Sequence, residues 1–284
     1  SQVYKEIRTM CGIAGRILPR PGKVGEDLVK LMHAQRHRGA DSTGFALYGE
    51  PLDTGYIVRA MVAGRHELSQ VLELFLDLLR AHGSDFLADP SWDDASTEHG
   101  SVRMVIREPK SLDDWIRQVD EHADRIEVQS AGRSLEIVMD LGGASEVAEK
   151  HRVHDFIGTH GLGHARMATD SEVSPTARHP YCARPFYDVA IVHNGQITNY
   201  FKMRRRLEQR GYRHQKGPYH RQPRKVREKD DRKHDHLSLA GRGAATASLG
   251  LTIARGHRAG HRVTLAEGTS EGSTGTNGGG HVET

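Results

Sequence analysis

The stretch Met10–Gly15 reads MCGIAG and begins the first apolar strand that the sequence predicts. Cys11 in this stretch has two interpretations. In one, it is an inert thiol in a small strand, which is the more common role of a free cysteine. In the other, Met10 is an initiator whose removal leaves Cys11 with a free α-amino group, so that one residue carries both a base and a nucleophile. The rest of the chain has to distinguish them.

The composition limits the class of protein. The chain has 284 residues, of which 36% are hydrophobic and 27% charged, enough for one large domain or two small ones. Its formal net charge of +3 is too small to favour a nucleic acid as partner. No run of about 18 apolar residues occurs, so we expect no membrane span.

The chain contains two cysteines, Cys11 and Cys182. This number argues against a disulfide scaffold or a structural zinc site and fits a reducing cytoplasm. We therefore predict a cytoplasmic protein with no metal and no cofactor. For Cys182 the favoured interpretation is a small, partly buried side chain without a catalytic role.

Hydrophobic periodicity predicts groups of strands separated by helices, and hence a layered α+β domain. The predicted strands are 11–18, 44–48, 101–108, 125–130, 134–141, 156–168 and 189–200, the last two running into loops. The predicted helices are 25–35, 67–82 (with Gly83 as its cap), 111–123 (beginning at Ser111), 144–153 and 201–211. We predict a polar turn at 89–100 and a hairpin through Ala131–Gly132–Arg133.

Four separated stretches carry the functional signal: MCGIAG, RHRGADSTG (36–44), GLGHARMATD (161–170) and VHNGQITNY (192–200). Singly, each is compatible with an ordinary turn or strand end. Together and in this order they resemble the class II glutamine amidotransferase domain, an N-terminal nucleophile hydrolase family. The resemblance covers roughly residues 10–213. It implies a four-layer αββα sandwich, which we expect to be incomplete at the C-terminus.

The resemblance implies a reaction for Cys11. Its Sγ would attack the carboxamide of L-glutamine to form a thioester and release ammonia, while its α-amino group carries the thiol proton to the leaving group. The Asn194 side chain and the Gly195 backbone N–H are the expected oxyanion donors. An Asn-Gly turn suits this role, because glycine lets a main-chain N–H approach the site closely.

The resemblance also implies a substrate-binding set. Arg166 would hold the α-carboxylate of glutamine, since a planar guanidinium binds a carboxylate with two hydrogen bonds. Thr169 would assist through its hydroxyl group. Arg38 would support the loop of the nucleophile. His179 lies where the family often carries a histidine near the pocket, with a polar loop histidine of no function as the alternative.

The sequence departs from the family after the helix at 201–211. The family continues with a Ser/Thr-Asp-Thr-Glu type of stretch, whose aspartate holds the α-amino group of the substrate. Here HQKGPYHRQPRK (214–225) follows Arg213, and it carries no such aspartate. Binding of an ammonium group without a carboxylate loses a charge-assisted hydrogen bond, worth about 1.5–3 kcal/mol.

The segment 214–284 has few aliphatic residues and ends in a Gly/Ser/Thr-rich run. We expect it to be a frameshift product that does not belong to the fold, or else a disordered basic arm that binds a partner or an acidic surface. Metal binding by its histidines is a third alternative. Its one apolar stretch, 246–254, is predicted as either a strand or a helical turn.

We divide the chain into an extension or propeptide (1–10), an amidotransferase domain (11–213) with an insertion at about 66–150, and the tail. The insertion resembles stand-alone amidotransferase subunits of glutamate-synthase-like or N-methylglutamate-synthase-like systems. The predicted function is hydrolysis of L-glutamine, with ammonia passed to a separate synthase subunit. The alternatives are a catalytically silent scaffold or regulatory subunit, and an amidase for another amide. While residues 1–10 stay attached, the nitrogen of Cys11 is an amide without basicity.

Overall fold

The computed structural model describes residues 11–38, 41–63, 68–93, 99–122, 125–166, 179–184, 186–194, 199–209 and 250–255. The strands within these ranges are β1 Gly12–Gly22, β2 Ser42–Tyr48, β3 Tyr56–Ala63, β4 Phe86–Asp93, β5 His99–Ile106, β6 Ile126–Gly132, β7 Leu135–Leu141, β8 Gly158–Arg166, β9 Tyr181–Cys182, β10 Val189–Asn194 and β11 Gly250–Arg255. The α-helices are α1 Val24–Ala34, α2 Leu68–Ala81, α3 Leu112–Val119, α4 Ala144–Lys150 and α5 Tyr200–Gln209.

The strands form three antiparallel sheets, which confirms the predicted α+β class. Sheet I has the order β1-β8-β2-β7, sheet II the order β4-β5-β3-β6, and sheet III the order β11-β10-β9. Helices α1 and α4 pack against sheet I, and α2 and α3 pack against sheet II. The arrangement is compatible with a sandwich. None of the helices in the described ranges combines the length and the apolar character needed to cross a membrane.

Strand β2 lies in the centre of sheet I and every one of its residues is buried. Phe45 and Leu47 pack with α1 and α4, whereas Ala46 and Tyr48 pack on the opposite face with residues of β10. This division follows from the alternation of side chains along a strand. The Tyr48 hydroxyl also accepts a hydrogen bond from the N–H of Ala190 at 2.9 Å, which ties sheet III to sheet I.

Helix α1 lies close to β8 because β8 carries glycines where the two meet. A Cβ atom on Gly163 would lie 2.7 Å from Sδ of Met32, and one on Gly161 would lie 2.6 Å from Cδ1 of Leu28. Both distances are well below an ordinary contact. The glycines of the GLGHAR segment therefore serve the packing of helix against sheet.

The predicted ends of two helices are confirmed. The Ser111 hydroxyl accepts a hydrogen bond from the N–H of Asp114 at 3.2 Å, as expected of the residue that caps α3. Gly83 follows α2 with a φ of +70°, and its N–H donates to the carbonyl of Arg80 at 3.0 Å. A left-handed glycine at this position is a common way to end a helix.

The predicted hairpin at Ala131–Gly132–Arg133 is wrong. Strand β6 pairs with β3 in sheet II, and β7 pairs with β2 in sheet I, so the chain crosses between sheets at this point. The carboxylate of Asp188 holds the crossing: it accepts hydrogen bonds from the N–H groups of Arg133, Ser134 and Leu135 at 2.8–3.1 Å. These bonds replace the cross-strand pairing that a hairpin would have made.

Two strands of sheet II were not predicted, β3 and β4. The first part of the predicted polar turn at 89–100 belongs to β4, which is an edge strand. Its register against β5 is irregular between Ala88 and Ser91, next to Pro90. An irregular edge strand tolerates a proline, which cannot donate to a sheet. Of the two alternatives for 246–254, the structure has the strand: β11 pairs with β10.

Sheets I and II are joined by a buried ion pair. Oε2 of Glu136, on β7, accepts hydrogen bonds from Nε of Arg59 on β3 and Nε of Arg103 on β5, each at 2.9 Å. The side chains of Arg59 and Glu136 are only 9% and 6% exposed. One carboxylate on sheet I thus contacts two arginines on sheet II.

Candidate active site

The N-terminal end of β1 and the C-terminal end of β8 meet at one edge of sheet I. Gly12 is paired with Ala165, and on the other side of β8 Arg166 is paired with Ser42. Extending the β1–β8 register by one residue puts Cys11 opposite Arg166. Two of the residues that were predicted from separate motifs are therefore neighbours across the sheet.

Both side chains belong to the face of sheet I that is turned toward sheet III. Ile13 and Leu162 pack in the cluster between these sheets. Cys11 lies two residues before Ile13, and Arg166 lies four residues after Leu162. Since side chains alternate along a strand, Cys11 and Arg166 share that face.

Asn194, the last residue of β10, reaches Cys11 from sheet III. Its side-chain Nδ2 donates a hydrogen bond to the main-chain carbonyl of Cys11 at 2.9 Å. Both residues are partly buried, and the Cys11 thiol is free. The contact brings together the predicted nucleophile and a predicted oxyanion donor, although the bond is made to the Cys11 carbonyl oxygen.

The turn after α1 supports the start of β1. Nε2 of Gln35 donates to the carbonyl of Ile13 at 3.0 Å, and the N–H of Arg38 donates to the carbonyl of Gln35 at 2.8 Å. A Cβ atom on Gly12 would lie 2.9 Å from Oε1 of Gln35 and 3.5 Å from Cβ of Arg38. The predicted supporting position of Arg38 is thus compatible with the packing, while its side chain is exposed. Gln35 was not predicted.

Two histidine rings pack together close to Arg166. The rings of His164 and His179 lie 4.5 Å apart between centroids, and the ring of Tyr181 lies 4.5 Å from that of His179. His164 is only 1% exposed. A Cβ atom on Gly44 would lie 2.1 Å from the His179 carbonyl oxygen. The last glycine of RHRGADSTG therefore makes room for the segment that carries His179.

The histidines of this region are neutral at neutral pH. Burial holds the pKa of His164 well below its usual value, and the nearby His179 and Arg166 lower it further. Burial also lowers the pKa of His179 to about 3, with contributions from His193 and Arg166. The pKa of His193 is lowered by burial as well. Arg166 is consequently positively charged at neutral pH, whereas the three histidines near it are not.

Cys182 is chemically unlike a nucleophile. Burial raises the pKa of its thiol to about 11, and Sγ lies 3.6 Å from the Tyr187 carbonyl, to which it donates. A thiol that stays protonated at neutral pH is a poor nucleophile. These features are consistent with the structural interpretation of Cys182.

Gly195 and Thr169, both predicted site residues, lie outside the described residues, as do residues 1–10 and most of 214–284. Within the described ranges, no group of three or more His, Cys, Asp or Glu side chains is arranged to hold a metal ion.

His164 and His193 were quoted within motifs without being given a role. His193 directly precedes Asn194, and His164 lies two residues before Arg166. This proximity to predicted site residues is the signal that could have found them. Because a buried histidine in an apolar strand is also compatible with simple packing, that signal alone does not distinguish the two roles.

Two of the known proteins to which this chain is similar match it over most of its length. The chain is 34% identical over 211 residues to a protein of Methanothermobacter thermautotrophicus with the provisional name glutamine amidotransferase, covering 72% of this chain and 67% of that protein. It is 29% identical over 208 residues to the glutamine amidotransferase-like protein GlxB of Rhizobium meliloti, covering 71% of this chain and 64% of GlxB. The chain therefore spans about two thirds of the length of these curated relatives.

A third match covers a much shorter part of the chain. The chain is 36% identical over 72 residues to the isomerizing glutamine–fructose-6-phosphate aminotransferase of Aliivibrio fischeri, which is 25% of this chain and 11% of that enzyme. No family model matches the chain.

Proposed function

Because the chain belongs to the glutamine amidotransferase family, we propose that it hydrolyses L-glutamine to glutamate and ammonia and passes the ammonia to a separate synthase subunit. We assign it to the class II type, in which an N-terminal cysteine is the nucleophile and residues 11–213 form the amidotransferase domain. The hydrogen bond of 2.9 Å between Asn194 and Cys11 is the observation that carries this proposal.

In the proposed reaction, Sγ of Cys11 attacks the carbonyl carbon of the substrate carboxamide. The C–N bond then breaks, ammonia leaves, and a thioester remains on Cys11. Water hydrolyses the thioester to glutamate and restores the thiol. The α-amino group of Cys11 takes the thiol proton in the first step and delivers it to the leaving nitrogen.

The negative charge that develops on the carbonyl oxygen requires hydrogen-bond donors. In our proposal these are Nδ2 of Asn194 and the backbone N–H of Gly195. The proximity of Asn194 to Cys11 supports the first donor. Fixed donors of this kind lower the barrier because they need no rearrangement when the charge appears.

Arg166 binds the α-carboxylate of glutamine in this proposal, with Thr169, Arg38 and His179 completing the substrate-binding set. The position of Arg166 opposite Cys11 supports its role, since it puts a cation beside the nucleophile. The neutral state of His179 means that this ring does not add a second charge there.

We propose a separate synthase subunit because the insertion at about 66–150 resembles stand-alone amidotransferase subunits. The proposal is tested with glutamine labelled with ¹⁵N in the side-chain amide. We expect the isolated chain to release labelled ammonia and glutamate in equal amounts; retention of the label in a product other than ammonia would place an acceptor on this chain.

The nucleophile is tested with a protein that begins at Cys11, prepared by cleavage of a removable leader. It is compared with the Cys11→Ala variant and with the chain that keeps residues 1–10. We expect glutamine hydrolysis by the first and none by Cys11→Ala. The chain with residues 1–10 should be slower by about 10²–10⁴-fold, because its Cys11 has no free amine to act as a base.

A glutamine-directed electrophile followed by peptide mass mapping should label Cys11. If the folded protein that begins at Cys11 neither releases ammonia nor becomes labelled, the catalytic proposal is wrong. The silent scaffold or regulatory subunit would then be the better interpretation.

A further inference from the structure

Two side-chain amides hold the backbone on either side of Gly12. Nδ2 of Asn194, at the end of β10, donates to the carbonyl of Cys11 at 2.9 Å. Nε2 of Gln35, the residue that follows α1, donates to the carbonyl of Ile13 at 3.0 Å. The backbone around the predicted nucleophile is therefore bonded to two elements outside its own sheet.

We propose that Gln35 is a positioning residue, which fixes the start of β1 so that Cys11 stays beside Asn194. The inference rests on the proposed function only where it treats Cys11 as the nucleophile. The bond between the end of the helix and the strand does not depend on any reaction.

The place of β1 in its sheet explains what these bonds do. β1 is an edge strand of sheet I, with β8 as its neighbour. Backbone groups of an antiparallel strand point alternately toward and away from the neighbouring strand, so the carbonyls of Cys11 and Ile13, two residues apart, point to the same side. An edge strand leaves such groups without a strand partner. The two amides supply hydrogen bonds that a further strand would have made.

The backbone of Gln35 is itself held in place. Its N–H donates to the carbonyl of Met32 at 3.0 Å, and its carbonyl accepts a hydrogen bond from the N–H of Arg38 at 2.8 Å. Gln35 is partly buried, whereas the other residues of 33–38 are exposed. The side chain therefore extends to β1 from a fixed point between α1 and the loop that carries Arg38.

Gly12 makes room for the Gln35 side chain. A Cβ atom on Gly12 would lie 2.9 Å from Oε1 and 3.4 Å from Cβ of Gln35. The side chain thus lies directly against the residue that follows Cys11, and its amide nitrogen bonds to the next carbonyl along the strand. A displacement of Gln35 would act on the residue adjacent to the nucleophile.

A role in ending the helix explains these contacts less well. The N–H of Gln35 bonds to α1 whatever its side chain is, since every residue except proline carries that donor. An apolar side chain could also cover Gly12, but it would not donate to the Ile13 carbonyl. The amide group of Gln35 is needed only for the bond to β1.

Three variants separate positioning from stability. Gln35→Met keeps the length of the side chain and removes the donor, and Gln35→Lys restores a donor at the end of an unbranched chain. Ser84→Ala is the matched control. The Ser84 hydroxyl, just after α2, donates to the carbonyl of Arg107, just after β5, so this variant loses a bond from a side chain to a carbonyl away from the site.

Glutamine hydrolysis is measured with the protein that begins at Cys11. We expect Gln35→Met to lower kcat by about 10–100-fold with KM nearly unchanged, because a small misplacement of a reacting group costs up to about 10²-fold. Gln35→Lys and Ser84→Ala should stay close to the parent protein. No loss in Gln35→Met, or the same loss in Gln35→Lys or in Ser84→Ala, would overturn the inference. Should Gln35→Met not fold, Gln35→Glu, whose carboxylate also lacks the donor, replaces it with the same expected outcomes.

A second measurement needs no activity and uses the chain that keeps residues 1–10. Backbone hydrogen exchange of Gly12 and Ala14 reports how firmly the start of β1 is held. It should be faster in Gln35→Met and unchanged in Gln35→Lys and Ser84→Ala. If the parent does not hydrolyse glutamine but this pattern appears, the proposed function fails and the role of Gln35 in holding β1 stands. If the parent is active and exchange is the same in all variants, the positioning role is wrong.

Discussion

The side-chain amide of Asn194 donates a hydrogen bond to the main-chain carbonyl of Cys11 across 2.9 Å, joining residues that are 183 positions apart in the chain. The bond fixes the end of sheet III against the start of sheet I. The geometry around Cys11 therefore depends on β10, a strand that is distant from Cys11 in the sequence.

Replacing Asn194 by alanine tests its contribution to the reaction. We expect kcat for ammonia release to fall by about 10²–10³-fold, because one oxyanion donor is lost, while KM changes little. Steady-state assays of glutamate formation measure both constants, and the thermal midpoint of the variant controls for folding. A loss of only a few-fold in kcat would show that the amide is not a donor to the transition state.

Arg166→Lys tests recognition of the α-carboxylate. Lysine keeps the charge but loses the two-bond geometry of the guanidinium. Loss of a charge-assisted hydrogen bond, worth about 1.5–3 kcal/mol, should raise KM by about 10–150-fold. We expect kcat to be much less affected. The matched variant Arg166→Met, which removes the charge too, should be weaker still in binding; equal KM values for parent and lysine variant would contradict the assignment.

Gly44→Ala tests the close approach of the His179 segment to β2. The added methyl group would lie 2.1 Å from a main-chain oxygen, which cannot move as a side-chain end would. Overpacking of this kind costs about 1–3 kcal/mol in the free energy of unfolding, measured by urea denaturation. Gly143→Ala is the matched control, because nothing lies within 4 Å of its added atom. Similar losses in the two variants would argue against the contact.

Glu136→Gln tests the ion pair that joins sheets I and II. Removing the buried carboxylate takes a charged partner from Arg59 and Arg103, and breaking a buried pair of this kind costs about 3–5 kcal/mol in the free energy of unfolding. Glu26→Gln removes an exposed partner of Lys30 and should leave the unfolding midpoint unchanged. A midpoint for Glu136→Gln equal to that of the control would show that the sheets do not depend on this carboxylate.

The buried histidines predict a loss of stability on mild acidification. The pKa of His179 is about 3 in the folded protein, and that of His164 is also lowered, against about 6.5 in an unfolded chain. Below pH 6.5 the unfolded state therefore takes up protons that the folded state refuses. The free energy of unfolding should fall by about 1.4 kcal/mol per pH unit for each such histidine.

The window from pH 6.5 to 5 separates the titration of the histidines from that of the carboxyl groups. Burial raises the pKa of Asp140, but its hydrogen bonds to His151 and Lys150 lower this pKa by more. Its contribution to stability is therefore present above the pKa of an unfolded carboxyl, about 3.9, and is lost as the pH falls below that value. His179→Gln should flatten the slope between pH 6.5 and 5. An unchanged slope in that variant would mean that His179 titrates normally.

Most of the regular structure could be predicted from the sequence, because apolar spacing marks a helix face or a strand that lies on a core. The hairpin prediction failed for a reason that local pattern does not contain. Whether 132–135 turns back or crosses to another sheet depends on Asp188, which lies more than fifty residues later and supplies the hydrogen bonds. Strand β4 was missed because its polar residues, together with Pro90, are typical of a turn.

The candidate site shows the same division. The motifs predicted Cys11, Arg166 and Asn194, and the fold brings these three together. Gln35 was not predicted, since its significance comes from the backbone carbonyl of Ile13, to which it donates. A contact of this kind between two elements has no counterpart in the spacing of residues along the chain.

Strand β10 is held in place by side-chain hydrogen bonds at both ends. Just before its first residue, Asp188 holds the crossing at Arg133–Leu135, and at its last residue Asn194 holds Cys11. The segment at about 66–150 contains that crossing, so it is part of the scaffold that keeps Asn194 in register. It cannot be trimmed away as an independent module without releasing the far end of the strand on which the site is built.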